Sequence, residues 1–435
     1  MIVLMKILQV ILALSILIII HEFGHFLFAR MFRIRVDKFY LFFDAGGFAL
    51  FRFKPKGSDT EYGIGWLPLG GYCKISGMID ESMDTESLKS EPQPWEFRSK
   101  PAWQRLLVMF GGVLFNFILA ILLYIGILAG WGESYIANQG NGIYVNDLAY
   151  EMGFRNGDQI LKFDDYTPER FGMLQADLAR QTAKKATVLR DRDTVDIYID
   201  QKMIGDVLNT PGMFDLAVPF VVESVVPGSV NSDAGLEKGD RIISIAGNPV
   251  TYLQDSRQIL PDYSGQKVPV TIVRDGDTTD IELQVDTTGK IGVYTHLPGL
   301  QTKRYSIPQA IPAGFSLAFE TIGGYLQDLK LVANPSTEAY KSVGSFISIG
   351  QIFPDTWNWY QFINILALLS IMLGVMNLLP IPALDGGHIV FTLYEMVTGR
   401  KPSDRFLTAA QIVGMILLLA LMVLAFGNDI GRLVR

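Results

Sequence analysis

The chain has 435 residues, a net charge of −7 and only 19% charged residues, with a mean hydropathy of +0.27. An acidic balance with no basic stripe cannot neutralise a row of phosphates, so nucleic acid is excluded as a partner. Positive hydropathy over a length that suits roughly two to four domains describes a membrane protein with a soluble portion, and a lone cysteine, Cys73, excludes an intrachain disulfide.

Four segments are long and apolar enough to cross about 30 Å of hydrocarbon: Val3 to Phe32, Trp103 to Trp131, Phe362 to Leu384 and Phe406 to Phe426. The first is too long for a secretory leader and ends on polar residues instead of a small-residue cleavage site, so it is expected to be retained. It carries His21-Glu22-Phe23-Gly24-His25. Histidines four apart on a helix differ by about 400° of rotation and project from one face, where both imidazoles can reach one metal ion. Glu22, one step along, can reach a water on that metal. Three ionisable side chains among Ile, Leu, Val and Phe need compensation for desolvation, which marks them as functional candidates. The bland alternative is a polar patch at a helix end, snorkelling to the headgroups.

The loop after this span begins with Arg30, Arg33, Arg35 and Lys38 and ends with Arg98, Lys100 and Arg105, and the short loop before the last span holds Arg400, Lys401 and Arg405. Basic loops stay cytoplasmic, outweighing Lys6, Arg432 and Arg435, so both termini and the block from about Gly132 to Tyr360 are expected outside the cytoplasm. Trp131, Trp357, Trp359 and Tyr360 fall at the expected interfaces.

Within that block, Gly153-Phe154-Arg155-Asn156-Gly157-Asp158 returns as Gly235-Leu236-Glu237-Lys238-Gly239-Asp240, each time before an apolar strand. The offset implies two tandem α+β domains of about 80 residues, 132–217 and 218–300. The pattern resembles bacterial PDZ domains, and the second copy also has the lead-in Val225-Val226-Pro227-Gly228-Ser229. Such domains take an extended peptide at a sheet edge; spacers or a size filter are the alternative reading. Pro308 to Ala333 is helical in pattern with Phe315, Phe319, Ile322 and Leu326 on one face, an amphipathic, interfacial segment within 301–360. Packing on the soluble domains is the other possibility.

Catalytic zinc takes three protein ligands, and the best third candidate is Asp385, in Asn377-Leu378-Leu379-Pro380-Ile381-Pro382-Ala383-Leu384-Asp385-Gly386. Two prolines two apart break the third span there, and Gly386 and Gly387 let the segment approach a metal closely. Taken alone, Asp385 could equally be a helix cap.

With these segments in order, the chain resembles the site-2 protease family of intramembrane zinc metalloproteases, in its bacterial branch with two PDZ domains. H-E-x-x-H in the first span, Gly112-x-x-x-Asn116 in the second, N-x-x-P-x-P-x-L-D-G in the third, the inserted PDZ-like pair and Leu67-Pro68-Leu69-Gly70-Gly71-Tyr72 carry the resemblance, which covers nearly the whole chain. It implies a polytopic α-helical fold of about four spans, with helices one and two in 1–131 and three and four in 361–435. It implies Zn2+ held by His21, His25 and Asp385, Glu22 as general base, and Asn377, with Asn116 beside it, as substrate-binding residues. Gly46 to Phe53 matches a membrane-associated β-hairpin region held to pair with substrate. The implied partners are the lipid bilayer, single-span membrane proteins such as anti-sigma factors or signal-peptide remnants, and peptide ligands of the PDZ-like domains. The implied location is the bacterial inner membrane, with the active site near the cytoplasmic side and the PDZ-like pair outside.

Two other classes share some features. A non-catalytic PDZ scaffold would have no use for Glu22 beside both histidines, and a metal transporter would need polar residues along several spans, whereas here they gather at one level. His296 and His388 read as surface or cap residues.

Overall fold

The computed structural model of the chain describes residues 2–68, 70–78 and 91–434. Leu69 and Arg435, used in the sequence argument, lie outside them. Two compact units emerge: 1–133 with 304–330 and 341–435, and 134–303 with 331–340.

The first unit is helical. Helix α1 (Ile2–Met31) and helix α2 (Ala102–Gly130) are joined by a sheet of β1 (Val36–Leu41), β2 (Ala49–Phe53), β3 (Glu61–Gly65) and β4 (Tyr72–Ile75). Later in the chain come α3 (Ile307–Ala333), α4 (Trp359–Leu378), α5 (Asp385–Thr398) and α6 (Asp404–Val434). Among the described residues, four helices are long and apolar enough to cross a membrane: α1, α2, α4 and α6.

Helices α1 and α2 meet through glycine. A Cβ on Gly24 would lie 2.2 Å from the Gly111 carbonyl oxygen, and one on Gly111 would lie 2.6 Å from that of Gly24. Backbone contact of this kind is how helices pack in lipid, where apolar burial offers no drive. Ala120, Tyr124 and Ile127 of α2 then pack with Ala367, Ile371 and Val375 of α4.

The third apolar segment departs from its expected length. Helix α4 stops at Leu378, because Leu379 and Ile381 each precede a proline and are driven out of the α region. The chain turns over six residues and restarts as α5 with Asp385 in its first turn.

Helix α3 lies along the bundle: Ala318, Leu317, Ile322 and Tyr325 pack on α2 and α4, and Gly314 abuts Ile125. Phe315, Phe319 and Leu326 are exposed. The helix is thus amphipathic in its packing, with one face on α2 and α4, and its last turn places Leu331 in a core of the second unit. Its small residues, Ala310, Gly314 and Ala318, sit four apart and form a stripe that fits another helix.

The sheet runs β2-β3-β1-β4, with β1 parallel to β3 and antiparallel to β4. Strands β2 and β3 pair antiparallel, Phe51 opposite Ile64 and Phe53 opposite Tyr62. Phe48, Leu50, Phe51, Phe53 and Trp66 stand exposed along this edge. The opposite edge, β4, rests on α1: a Cβ on Gly71 would lie 2.5 Å from Ile18.

The second unit holds two hydrophobic cores, one centred on Phe154, Ile160, Phe163 and Leu178, the other on Phe220, Ile242, Ile245 and Val270. The two glycine-aspartate segments make matching contacts. Asp158 accepts from Arg155 N–H and from Arg190 at 2.7–2.8 Å; Asp240 accepts from Glu237 N–H and from Arg274 at 2.6–2.7 Å. Each arginine also donates to a glycine carbonyl, Gly153 or Gly235.

Candidate metal centre

His21 and His25 sit on one face of α1, both turned inward, at a depth where α2 and the start of α5 close on them. His21 Nε2 lies 3.3 Å from His25 Nε2, Asp385 Oδ2 lies 3.2 Å from the first and 3.3 Å from the second. Ligands about 2.0–2.1 Å from a tetrahedral zinc are spaced roughly 3.3–3.4 Å apart, so the triangle has the dimensions that zinc requires. Asp385 Oδ2 is buried and makes no hydrogen bond although two ring nitrogens face it. An orphaned carboxylate oxygen opposite two imidazoles is the donor set of a metal, and the residues present fit zinc. Among the described residues this is the one cluster of His, Cys, Asp or Glu with such geometry.

The surroundings orient the histidines. His25 Nδ1–H donates to the Val108 carbonyl at 2.8 Å, which leaves Nε2 unprotonated and aimed into the triangle. The Asn116 amide lies 3.0 Å from His21 Nδ1, and Asn116 is wholly buried. Asn377, on the last turn of α4 and partly exposed, places Nδ2 3.3 Å from His21 Nε2. A Cβ on Gly112 would lie 2.4 Å from His25 Nε2 and 2.6 Å from His21 Cε1, so only glycine lets α2 come this close.

Glu22 is partly exposed beside the triangle, with the Cys73 backbone on β4 near its carboxylate. Strand β4 is the sheet edge that rests on α1, and Gly46 to Phe53 lies at the β2 edge. His388, one turn into α5, is not in the cluster, and His296 is exposed and 3.3 Å from Glu223.

Sequence reasoning missed the Val108 carbonyl, the Gly24–Gly111 contact and the approach of β4. A glycine in α1 opposite a glycine pair in α2 was the available signal for the second; backbone carbonyls carry no sequence signal at all.

A donor set that fits zinc, with a carboxylate beside it, on helices of membrane-spanning length is the arrangement expected of a membrane metalloenzyme. The chain matches the model of peptidase family M50 over residues 9–421. It is similar to a Neisseria meningitidis protein whose name reads "Putative zinc metalloprotease", at 27% identity over 97% of this chain and 98% of that protein. It is also similar to the regulator of sigma-E protease RseP of Escherichia coli, at 28% identity over 97% and 98%, and to the regulator of sigma E protease of Salmonella typhi, at 29% over the same shares. The chain belongs to peptidase family M50, the site-2 protease family, and is a zinc metalloprotease.

Proposed function

We propose that this protease hydrolyses peptide bonds within or beside the transmembrane segments of single-span proteins of the bacterial inner membrane, with His21, His25 and Asp385 holding zinc and Glu22 as general base. The observation that carries this reading is the buried triangle of donor atoms beside Glu22 on a helix of membrane-spanning length. Zinc held there supplies Lewis acidity, acidifying a water molecule and polarising a carbonyl. Glu22 takes the proton of the attacking water and returns it to the leaving nitrogen. Asn377 offers its amide to the substrate backbone. A substrate helix hides its carbonyls in its own hydrogen bonds and must unwind; β4, at a sheet edge against Glu22, offers replacement partners by strand addition.

The basic residues Arg30, Arg33 and Arg35 at the end of α1 support a cytoplasmic site and an extracytoplasmic second unit. We read 132–217 and 218–300 as PDZ-like domains, on the matching aspartate–arginine clamps, and 301–360 as the link back to the spans. Relatives named as regulators of sigma-E support anti-sigma-type substrates, with signal-peptide remnants in the same size class.

The test is metal removal in proteoliposomes holding a single-span substrate. Chelation should abolish cleavage and zinc should restore it. Cleavage that persists after zinc is stripped would overturn the reading.

A further inference from the structure

We infer that Asn116 is a positioning residue for His21: its amide oxygen accepts the His21 Nδ1–H and so turns the Nε2 lone pair towards the metal. The inference rests on His21 being a zinc ligand. A histidine that binds zinc through Nε2 carries its proton on Nδ1, and that N–H, buried, requires an acceptor. For His25 the acceptor is the Val108 carbonyl at 2.8 Å. For His21 the group at the corresponding place is the Asn116 amide, 3.0 Å from Nδ1.

Val108, Gly112 and Asn116 are four apart on α2 and form one stripe, with Gly112 in the middle leaving room for both rings. The Gly112-x-x-x-Asn116 spacing thus has a physical meaning: a helix that backs both histidines, glycine for approach and asparagine for the tautomer. With Asn116 Nδ2 towards His21, Nδ1 must accept, the proton moves to Nε2, and that nitrogen cannot bind metal. In that orientation Asn116 Oδ1 is also buried without a partner. Turning the amide by 180° exchanges two atoms of similar size and presents the oxygen to His21. The backbone of Asn116 is fixed independently, its carbonyl accepting from Ser370 Oγ at 2.7 Å. Asn116 is 0% exposed, so the role inferred for it is to orient His21 from behind.

The experiment is zinc affinity of the detergent-solubilised full chain, by competition with a chromophoric chelator, for wild type, Asn116→Leu, Asn116→Asp and His21→Ala. Asn116→Leu should weaken zinc binding by about 10–100-fold. Asn116→Asp, an acceptor of the same shape, should hold zinc at least as tightly as wild type. Unchanged affinity in Asn116→Leu, or a loss in Asn116→Asp as large as in the leucine variant, overturns the inference; the aspartate variant decides alone if the leucine variant misfolds. A raised KM at unchanged zinc affinity would return Asn116 to a substrate contact. If His21→Ala binds zinc like wild type, the ligand assignment falls and the inference falls with it, whereas loss in His21→Ala alone sinks only the role of Asn116.

Discussion

His21 and His25 are held from behind as firmly as from the front. The Gly112 Cα faces both rings, and the space that a methyl group would take is already filled by His25 Nε2 and His21 Cε1. Gly112→Ala should therefore force α2 away from α1 at a cost of about 1–3 kcal/mol, the usual penalty of overpacking. We expect lower zinc content and loss of cleavage with the helices still formed, read by metal analysis and far-ultraviolet circular dichroism; full zinc occupancy would show that α2 can give way. At this scale the shared face of His21 and His25, with Glu22 beside them, was legible in the sequence because motif spacing on a helix is a geometric statement, whereas Asp385 taken alone could be a helix cap and stood out only beside that motif. The Val108 carbonyl was not, since every residue carries one and only the approach of α2 selects it.

Elements show where local rules won and where long-range ones did. The proline pair at Pro380 and Pro382 ended α4 as its chemistry requires, although the apolar run itself extends to Leu384. The small-residue stripe of α3 was readable only in hindsight, because its large apolar residues make the opposite face look like the buried one. The parallel pairing of β1 with β3, and the resting of β4 on α1, depend on partners distant in sequence and leave no periodic trace.

In the second unit the aspartate clamps are a local device with a pH signature. The hydrogen bond from Arg274 holds the Asp240 carboxyl below the ordinary carboxylate range, against the opposing effect of burial. A depressed folded-state pKa gives stability that is present above the unfolded value, about 3.9, and is lost as pH falls through the folded value. Asp240→Asn should cost roughly 2–3 kcal/mol near neutral pH, less than a fully buried pair because Arg274 is partly exposed. The gap between wild type and variant should narrow as pH drops below about 4. A gap independent of pH, in thermal melts of the full chain, would contradict this.

At the scale of the molecule, a membrane-embedded unit with the metal cluster is joined in sequence to an inserted unit with two cores of its own. We propose that the inserted unit excludes substrates with bulky ectodomains. Deleting residues 132–296 should then allow cleavage of untrimmed single-span proteins that the intact protein leaves alone, and unchanged selectivity would defeat the filter idea. The division into embedded and inserted parts was legible because hydropathy and the repeated glycine-aspartate pattern are both one-dimensional signals.

The central claim is that Glu22 acts as the base at a zinc site formed by His21, His25 and Asp385. It is tested most directly by cleavage of a model single-span substrate by wild type and Glu22→Gln, with zinc measured on both preparations. Equal zinc content with cleavage reduced at least ~100-fold in the variant is the expected result, the usual minimum for a general base. Equal cleavage by both proteins, or a wild type that cuts while holding no zinc, would contradict the account.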